Sequence, residues 1–343
     1  MRTRIAIAAV AVLAGVAALA SACKSTSSRP PVSLPVPTSG EVTFYLSLPG
    51  STGLSDAAAK VATPGESNYR HFSSLAAAAR QFGATDTQIN TIAKSVHTLG
   101  LQFAVDPTRL FGRVTGSTEQ WQSALGTPLT QHAATASNPF LTYRLPAQTP
   151  AALQPSGTGL LLRTAQVYDP AAEGRHGPSG NGPAADVGTA AQPWPDNSGT
   201  PFTVGCSAPP LQQGQIYTSQ QIQTAYGVDT LRAHAAGTPV ITILDLGGGW
   251  LPSDLQLAGQ CFGYSPPHVD QMQGDGVVTA IRNADPETSL DLQTAAAVAP
   301  GAQVRLVQST PAGAGILDGF SRALGGPSGL PDVVSLSYGG CAI

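Results

Sequence analysis

Asp285-Pro-Glu-Thr-Ser-Leu-Asp-Leu-Gln-Thr-Ala-Ala-Ala-Val-Ala-Pro-Gly301 is the stretch on which the reading of this chain turns. Pro286 suits a first helical turn, where its missing N–H goes unused, and Asp285 before it can cap free backbone N–H groups. Pro300-Gly301 ends the helix. Glu287 and Asp291 are four residues apart, so both carboxylates rise from one helical face. Continued, that face meets Ala295 and Val298, which predicts a buried face rather than a solvated one. Like charges at this spacing destabilise a helix by roughly 0.2–0.5 kcal/mol in water, and by more once desolvated. Such a pair becomes useful by sharing a proton, one carboxyl raised and the other ionised, as a general base and its orienter in acid. The alternative is two surface acids at a helix start, where the dipole favours negative charge. The neighbours have to decide between them.

Composition sets the outer bounds. The 343 residues suffice for two ordinary domains. Only 11% are charged and the formal net charge is −3, so there is no basic footprint for nucleic acid. The 38 Gly and 29 Pro, with many Ala, Ser and Thr, read as an exported protein with long loops. No apolar run after the N-terminus is long enough to span a bilayer.

Residues 1–22 read as a signal peptide, with Arg2 and Arg4 as its basic end and Ile5 to Leu19 as its apolar core. Ala20-Ser21-Ala22 is a small-residue cleavage signal, and Cys23 follows at once. Leu19-Ala-Ser-Ala-Cys23 also resembles a bacterial lipobox, so the expected location is secreted, or anchored through a lipid on Cys23 to the outer face of a bacterial membrane. Residues 23–40, rich in Ser and Pro, would be the tether. Of the other cysteines, Cys206 and Cys261 flank the start of the second domain and are the expected disulfide, leaving Cys341 over. Their spacing matches no metal site.

Residues 41–165 read as one domain. Val42–Leu48 alternates like a strand, and Tyr69-Arg-His-Phe72 leads into a helix over Ser74–Gln81. A second helix runs from about Thr87 to Leu99 with Ile89, Ile92, Val96 and Leu99 on one face. Leu101–Val105 and Leu110–Thr115 form a hairpin around Asp106-Pro-Thr108. Ser117-Thr-Glu-Gln120 is a capping box whose helix Gly126 closes, and Phe140–Leu145 is the last strand. The sum is a βαββαβ plait, a ferredoxin-like α+β domain with an extra helix. It shows no convergent catalytic set: His71 and His97 sit among helical residues and read as structural.

Residues 166–215 are dominated by Gly, Pro, Ala, Asn and Ser, a linker and the expected place of a maturation cut. Beyond it, residues 216–343 alternate strands and helices. Val240–Leu244 is a continuous apolar strand ending in Asp245-Leu-Gly-Gly-Gly. A helix over Ser253–Gln260 follows, then Gly276–Ile281 as a possible strand, then the carboxylate helix. Val304–Gln308 and Val333–Ser337 are strands flanking a helix over Ile316–Leu324. This order predicts a parallel sheet covered on both faces, with Asp245 and Ser337-Tyr-Gly-Gly340 at the C-terminal ends of strands, where sites gather. Asp245 alone could be a turn residue before a glycine loop. Ser337 lacks a nucleophile elbow and reads as backbone lining.

The Tyr-Arg-His-Phe stretch, the plait and the export signal resemble the activation domain of pro-kumamolisin, the propeptide of the sedolisin family of serine-carboxyl peptidases. Ile216-Tyr-Thr through Tyr226-Gly227 resembles the opening helix of their catalytic domains. Asp245-Leu-Gly-Gly-Gly, Glu287-x-x-x-Asp291 before Ala-Pro-Gly-Ala302, and Val-Val-Ser-Leu-Ser-Tyr-Gly-Gly340 occur in the family's order. The resemblance covers 41–165 and 216–343. It implies an α/β chain, a prodomain followed by a subtilisin-like parallel domain, and peptide or protein substrates plus the chain's own propeptide as partners. It also implies Glu287 as general base to a serine, Asp291 as its orienter and Asp245 as an extension of their hydrogen-bond network. Ser337, Tyr338, Gly339 and Gly340 would pair with substrate backbone as an added strand.

The family's serine lies in a Gly-Thr-Ser segment, and no Gly-Thr-Ser occurs in these 343 residues. The oxyanion aspartate and the family's calcium loop belong to later segments too, so calcium is implied by resemblance only. The expectation is an incomplete subtilisin-like domain, inactive as written, with Val333–Ser337 left as an apolar edge. A propeptide-like inhibitor or chaperone acting in trans, or a non-functional partial product, are the non-enzyme readings.

Overall fold

The computed structural model describes residues 40–50, 52–135, 138–148, 150–153, 158–172, 219–233, 237–281, 285–311, 313–325 and 330–338. The signal, the tether, most of the linker, and Cys23, Cys206, Gly339 and Gly340 lie outside them. Among the described residues no helix is long and apolar enough to cross a membrane.

Strand β1 (Glu41–Ser47) sends Val42, Phe44 and Leu46 into the core of the first domain. Helices α1 (Leu54–Ala62), α2 (Leu75–Phe82) and α3 (Asp86–His97) follow. Thr85 and Gln88 close a capping box on α3, which buries Ile92 and Val96 and rests Ile89 on the same core. Strand β2 (Gln102–Val105) makes the expected hairpin with β3 (Phe111–Ser117). Helix α4 (Thr118–Leu125) starts on the Ser117 capping box, ends at Gly126, and buries Trp121, whose Nε1 donates to the Val42 carbonyl at 2.9 Å. Next come β4 (Thr130–His132), β5 (Phe140–Arg144), β6 (Gly159–Leu162) and β7 (Thr164–Tyr168).

The plait sheet is ordered β2-β3-β1-β6 and antiparallel throughout, as a ferredoxin-like βαββαβ unit requires. Its last strand differs from the expectation. Phe140–Arg144 does not join it but pairs with β4 and β7 in a separate three-stranded sheet, and Gly159–Leu162 takes the edge beside β1. Phe140-Leu-Thr-Tyr143 carries the aromatic and β-branched residues that favour strands, whereas Gly159-Leu-Leu-Leu162 carries none, so propensity pointed to the wrong partner. Helix α1 escapes the sequence because it buries nothing.

In the second domain α5 (Ser219–Ala225) and α6 (Val228–Ala233) precede β8 (Val240–Leu246), α7 (Pro252–Phe262) and β9 (Val269–Gln273). Helix α8 (Pro286–Val298), β10 (Gln303–Ser309), α9 (Gly313–Gly325) and β11 (Val333–Ser335) complete it. The sheet is parallel, ordered β11-β8-β10-β9. Leu255 of α7 and Leu292 and Ala296 of α8 pack on Ile243, Val304 and Leu306. Helix α9 covers the other face, where a Cβ at Gly319 would strike Leu244. Both faces are therefore covered, as parallel strands demand.

Gly276–Ile281 is not a strand. The strand is Val269–Gln273, half-buried along its length at the sheet edge and too polar to stand out. Residues 276–281 instead run as a loop against β7. Strand β11 is the other edge, with Val333 exposed.

Candidate active site

Asp245 lies at the C-terminal end of β8, opposite Gln308 of β10 in the parallel register. The Gly247-Gly248-Gly249 loop folds over it. A Cβ at Gly248 would collide with the Thr288 hydroxyl and sit 3.0 Å from Asp245 Oδ2, so only glycine fits. The loop is joined to α8 by the Asp285 N–H, which donates to the Gly249 carbonyl at 2.8 Å. The Asp285 carboxylate caps the helix as expected, its Oδ1 accepting from the Glu287 N–H at 2.8 Å. The carboxylate helix thus begins beside Asp245.

Helix α8 buries Thr288, Leu292, Ala296 and Ala297. The expectation that the Glu287, Asp291, Ala295, Val298 face is the buried one is corrected here. The buried stripe lies one residue further round, which leaves Glu287 exposed and Asp291, Ala295 and Val298 half-buried at its margin. The apolar side chains of α8 surround the helix almost evenly, so periodicity could not choose a face.

Electrostatics link the three acids. Burial raises Asp245 to about 6; the neighbouring Thr288 hydroxyl works the other way, and the charges of Asp285 and then Asp291 add to the rise. Its Oδ2 is fully enclosed. Asp291 is also raised, by burial, with the Ser337 hydrogen bond opposing and Glu287 adding. Ser337, read from the sequence as backbone lining, uses its hydroxyl: Oγ donates to Asp291 Oδ1 at 3.0 Å. Tyr338 beside it is exposed. Asp245, raised to about 6, and Asp291, raised in the same direction, are carboxyls suited to holding and passing a proton in acid, with Glu287 exposed one helical turn before Asp291. Asp285 was legible as a cap but not as a fourth charge in this set.

Cys261 is disulfide-bonded, and its partner lies outside the described residues. Among the described residues no group of three or more His, Cys, Asp or Glu is placed to hold a metal ion.

A second ionic centre lies between the domains, and no sequence signal announced it. On the plait sheet Tyr45 and Arg113 point away from their own helices, into α9 and the loop after β9. Arg113 Nε donates to Asp275 Oδ2 at 2.6 Å, and its Nη2 to Oδ1. Tyr45 Oη donates to Asp275 Oδ2 at 2.6 Å, and Arg322 Nη2 to Oδ1 at 2.6 Å. Arg322 also bonds Asp318, whose Oδ2 accepts from the Asp275 N–H at 2.7 Å. Tyr45 and Phe111 pack on Ala314 and Leu317 around this cluster. The second contact is apolar: Phe140 and Tyr168 pack on Val277 and Ile281, and the Tyr168 N–H donates to the Gly276 carbonyl at 2.6 Å. The first domain is thus docked through both of its sheets.

Residues 32–159 match the protein-family model described as Pro-kumamolisin, activation domain. The chain is 31% identical over 138 residues to Kumamolisin of Bacillus sp. (strain MN-32). That alignment covers 39% of this chain and 24% of that protein, so the matched stretch spans about a quarter of the relative. The resemblance to sedolisins with a pro-kumamolisin-type activation domain, carried above by motifs, is supported by both matches. The family-model match ends at residue 159, well before the carboxylate helix.

Proposed function

We propose, for a chain whose residues 32–159 match the pro-kumamolisin activation-domain model, that it is the zymogen side of a serine-carboxyl peptidase hydrolysing peptide bonds in acid. In this reading Glu287 is the general base, Asp291 orients it and shares its proton, and Asp245 extends the network into the sheet. Ser337 and Tyr338, with Gly339 and Gly340 after them, form the strip that pairs with substrate backbone. The chain's own plait is its first protein partner. Export by residues 1–22 would place it outside the cell, secreted or held by a lipid on Cys23.

The observation that carries the reading is the convergence of Asp245, Asp291 and Ser337 at the C-terminal ends of parallel strands, tied by the 3.0 Å Ser337–Asp291 bond. The 343 residues contain no Gly-Thr-Ser segment. The experiment is to read the gene past Ile343 for that segment, express the product containing it, and assay peptide hydrolysis at acid pH. Glu287→Gln should lower kcat about 10²–10⁴-fold. Unchanged hydrolysis in that variant would overturn the assignment.

In a second reading the plait acts in trans as an inhibitor or chaperone, offering another catalytic domain the Tyr45 and Arg113 face that meets Asp275 in this chain. Adding the 343-residue chain to kumamolisin should slow its peptide hydrolysis. No inhibition at a large excess of the chain would remove this option.

A further inference from the structure

Gln308 is fully buried in β10, directly beside Asp245 in register, yet it belongs to none of the roles above. Its side-chain amide uses its whole hydrogen-bonding capacity. Nε2 donates to the Gly248 carbonyl at 2.9 Å and to the Ile281 carbonyl at 2.9 Å. Oε1 accepts from the Ile281 N–H at 3.1 Å and from the Gln271 side-chain amide. Two donors and two acceptor positions are all filled, and reversing the amide would set its oxygen against two carbonyls, so the orientation is fixed by chemistry.

The two backbone segments held by this amide have different neighbours. Gly248 lies over Asp245 Oδ2 and Thr288. Ile281 is in the apolar cluster with Val277 and with Phe140 and Tyr168 of the activation domain, whose rings lie 5.7 Å apart. A Cβ at Gly276, whose φ is +78°, would run into the Gln166 carbonyl of β7, so loop and activation domain meet backbone to backbone. One glutamine therefore stands between the docked sheet and the glycine loop that roofs the acid site.

We infer that Gln308 is a positioning residue that couples docking of the activation domain at Phe140 and Tyr168 to the placement of the Gly247-Gly248-Gly249 loop over Asp245. The inference rests on the reading of Asp245 as part of the acid site. Docking pins Ile281, Gln308 transfers that constraint to the Gly248 carbonyl, and the loop keeps water from Asp245. The groups facing Asp245 are Asp285, Thr288 and Asp291, all from α8, so a shift in the loop changes its solvation without changing its charged neighbours.

The test is a double-variant cycle in the full chain, read by the titration of the Asp245 carboxyl in ¹³C-aspartate NMR, with Asp245→Asn to assign the signal. Phe140→Ala, or the milder Val277→Ala, should move the midpoint from about 6 toward the ordinary value of about 3.9, as water reaches the carboxyl. Gln308→Leu should do the same, and Phe140→Ala should add nothing further in that background. Additive shifts, or a dock variant that leaves the midpoint in place, would overturn the coupling. Where Gln308→Leu fails to fold, the uncharged and nearly isosteric Gln308→Met replaces it. Hydrogen exchange at the Gly248 and Gly249 amides in Phe140→Ala then decides independently: faster exchange supports the coupling and unchanged exchange refutes it. None of these readouts needs hydrolysis, so loss of this inference leaves the Glu287→Gln result standing, and the converse holds.

Discussion

Asp275 at the dock and Asp245 at the acid site are both carboxylates set near the C-terminal ends of parallel strands, and their surroundings drive them apart. Burial would raise Asp275, but Arg113 and Arg322 outweigh it and, with the Arg113 and Tyr45 hydrogen bonds, hold it below the usual aspartate range. Among the described residues no cation acts on Asp245. Burial raises it to about 6, and its charged neighbours are other acids. Partners, not depth, decide which buried acid stays ionised. The dock spends its charges on cohesion, while the acid site keeps an uncompensated carboxyl ready to exchange a proton.

The largest effect is expected where pairing is complete. Asp275→Asn would leave Arg113 and Arg322 buried without their shared carboxylate, and removing one partner of such a cluster costs about 3–5 kcal/mol. Urea denaturation at neutral pH should show that loss in the unfolding free energy. An unchanged midpoint would mean that the arginines find water, and that the contrast with Asp245 is one of exposure rather than pairing.

Acidification should separate the two sites by sign. Asp245 has a folded pKa above its unfolded one, so its ionised form opposes folding at neutral pH. That penalty fades as pH falls through about 6 and is gone below about 4. Asp318, raised by burial to about 6 despite Arg322, behaves the same way. Asp275 is depressed, so its contribution is present above the unfolded value and is lost as pH falls through its folded pKa. Asp245→Asn should therefore stabilise the chain at pH 7, by about 3 kcal/mol at most before solvent screening is discounted. It should also flatten the stability profile between about pH 4 and 6. Asp275→Asn should flatten the more acidic limb instead. Identical profiles for both variants would remove the distinction between dock and acid site.

The same contrast marks what was legible in the chain. Capping boxes at Thr85 and Ser117, the Asp285-Pro286 helix start and the apolar run of β8 are local signals, and each element stands where it was expected. So does Asp245 at a strand end, because strand ends are fixed by the run that precedes them. Partners in space are another matter. Which strand closes the plait depended on β1 choosing Gly159–Leu162 over Phe140–Arg144, a choice no period-2 pattern encodes. The buried face of α8 was misplaced by one residue because apolar side chains surround that helix. Arg113 and Asp275 lie far in the chain from each other and from the Asp318–Arg322 pair one turn apart on α9, and Gln308 reads as one more polar residue in an apolar strand. Their roles exist only after two domains meet.

The smallest effect is expected at the margin of the acid site, where solvent weakens every interaction. Ser337 follows β11, a sheet edge, and its hydroxyl is exposed while it donates to Asp291. A hydrogen bond to a charged acceptor favours the ionised form, and here it opposes the rise that burial and Glu287 impose on Asp291. Ser337→Ala should therefore raise the Asp291 titration midpoint further, while stability changes by less than about 1 kcal/mol because water replaces the lost donor. NMR titration of Asp291 in the variant reads the first effect and a thermal melt the second. A midpoint that stays in place would show that the 3.0 Å bond does not persist in solution. Asp291 would then answer to Glu287 and burial alone, and the strip after β11 would lose the Ser337 link to the carboxylate helix.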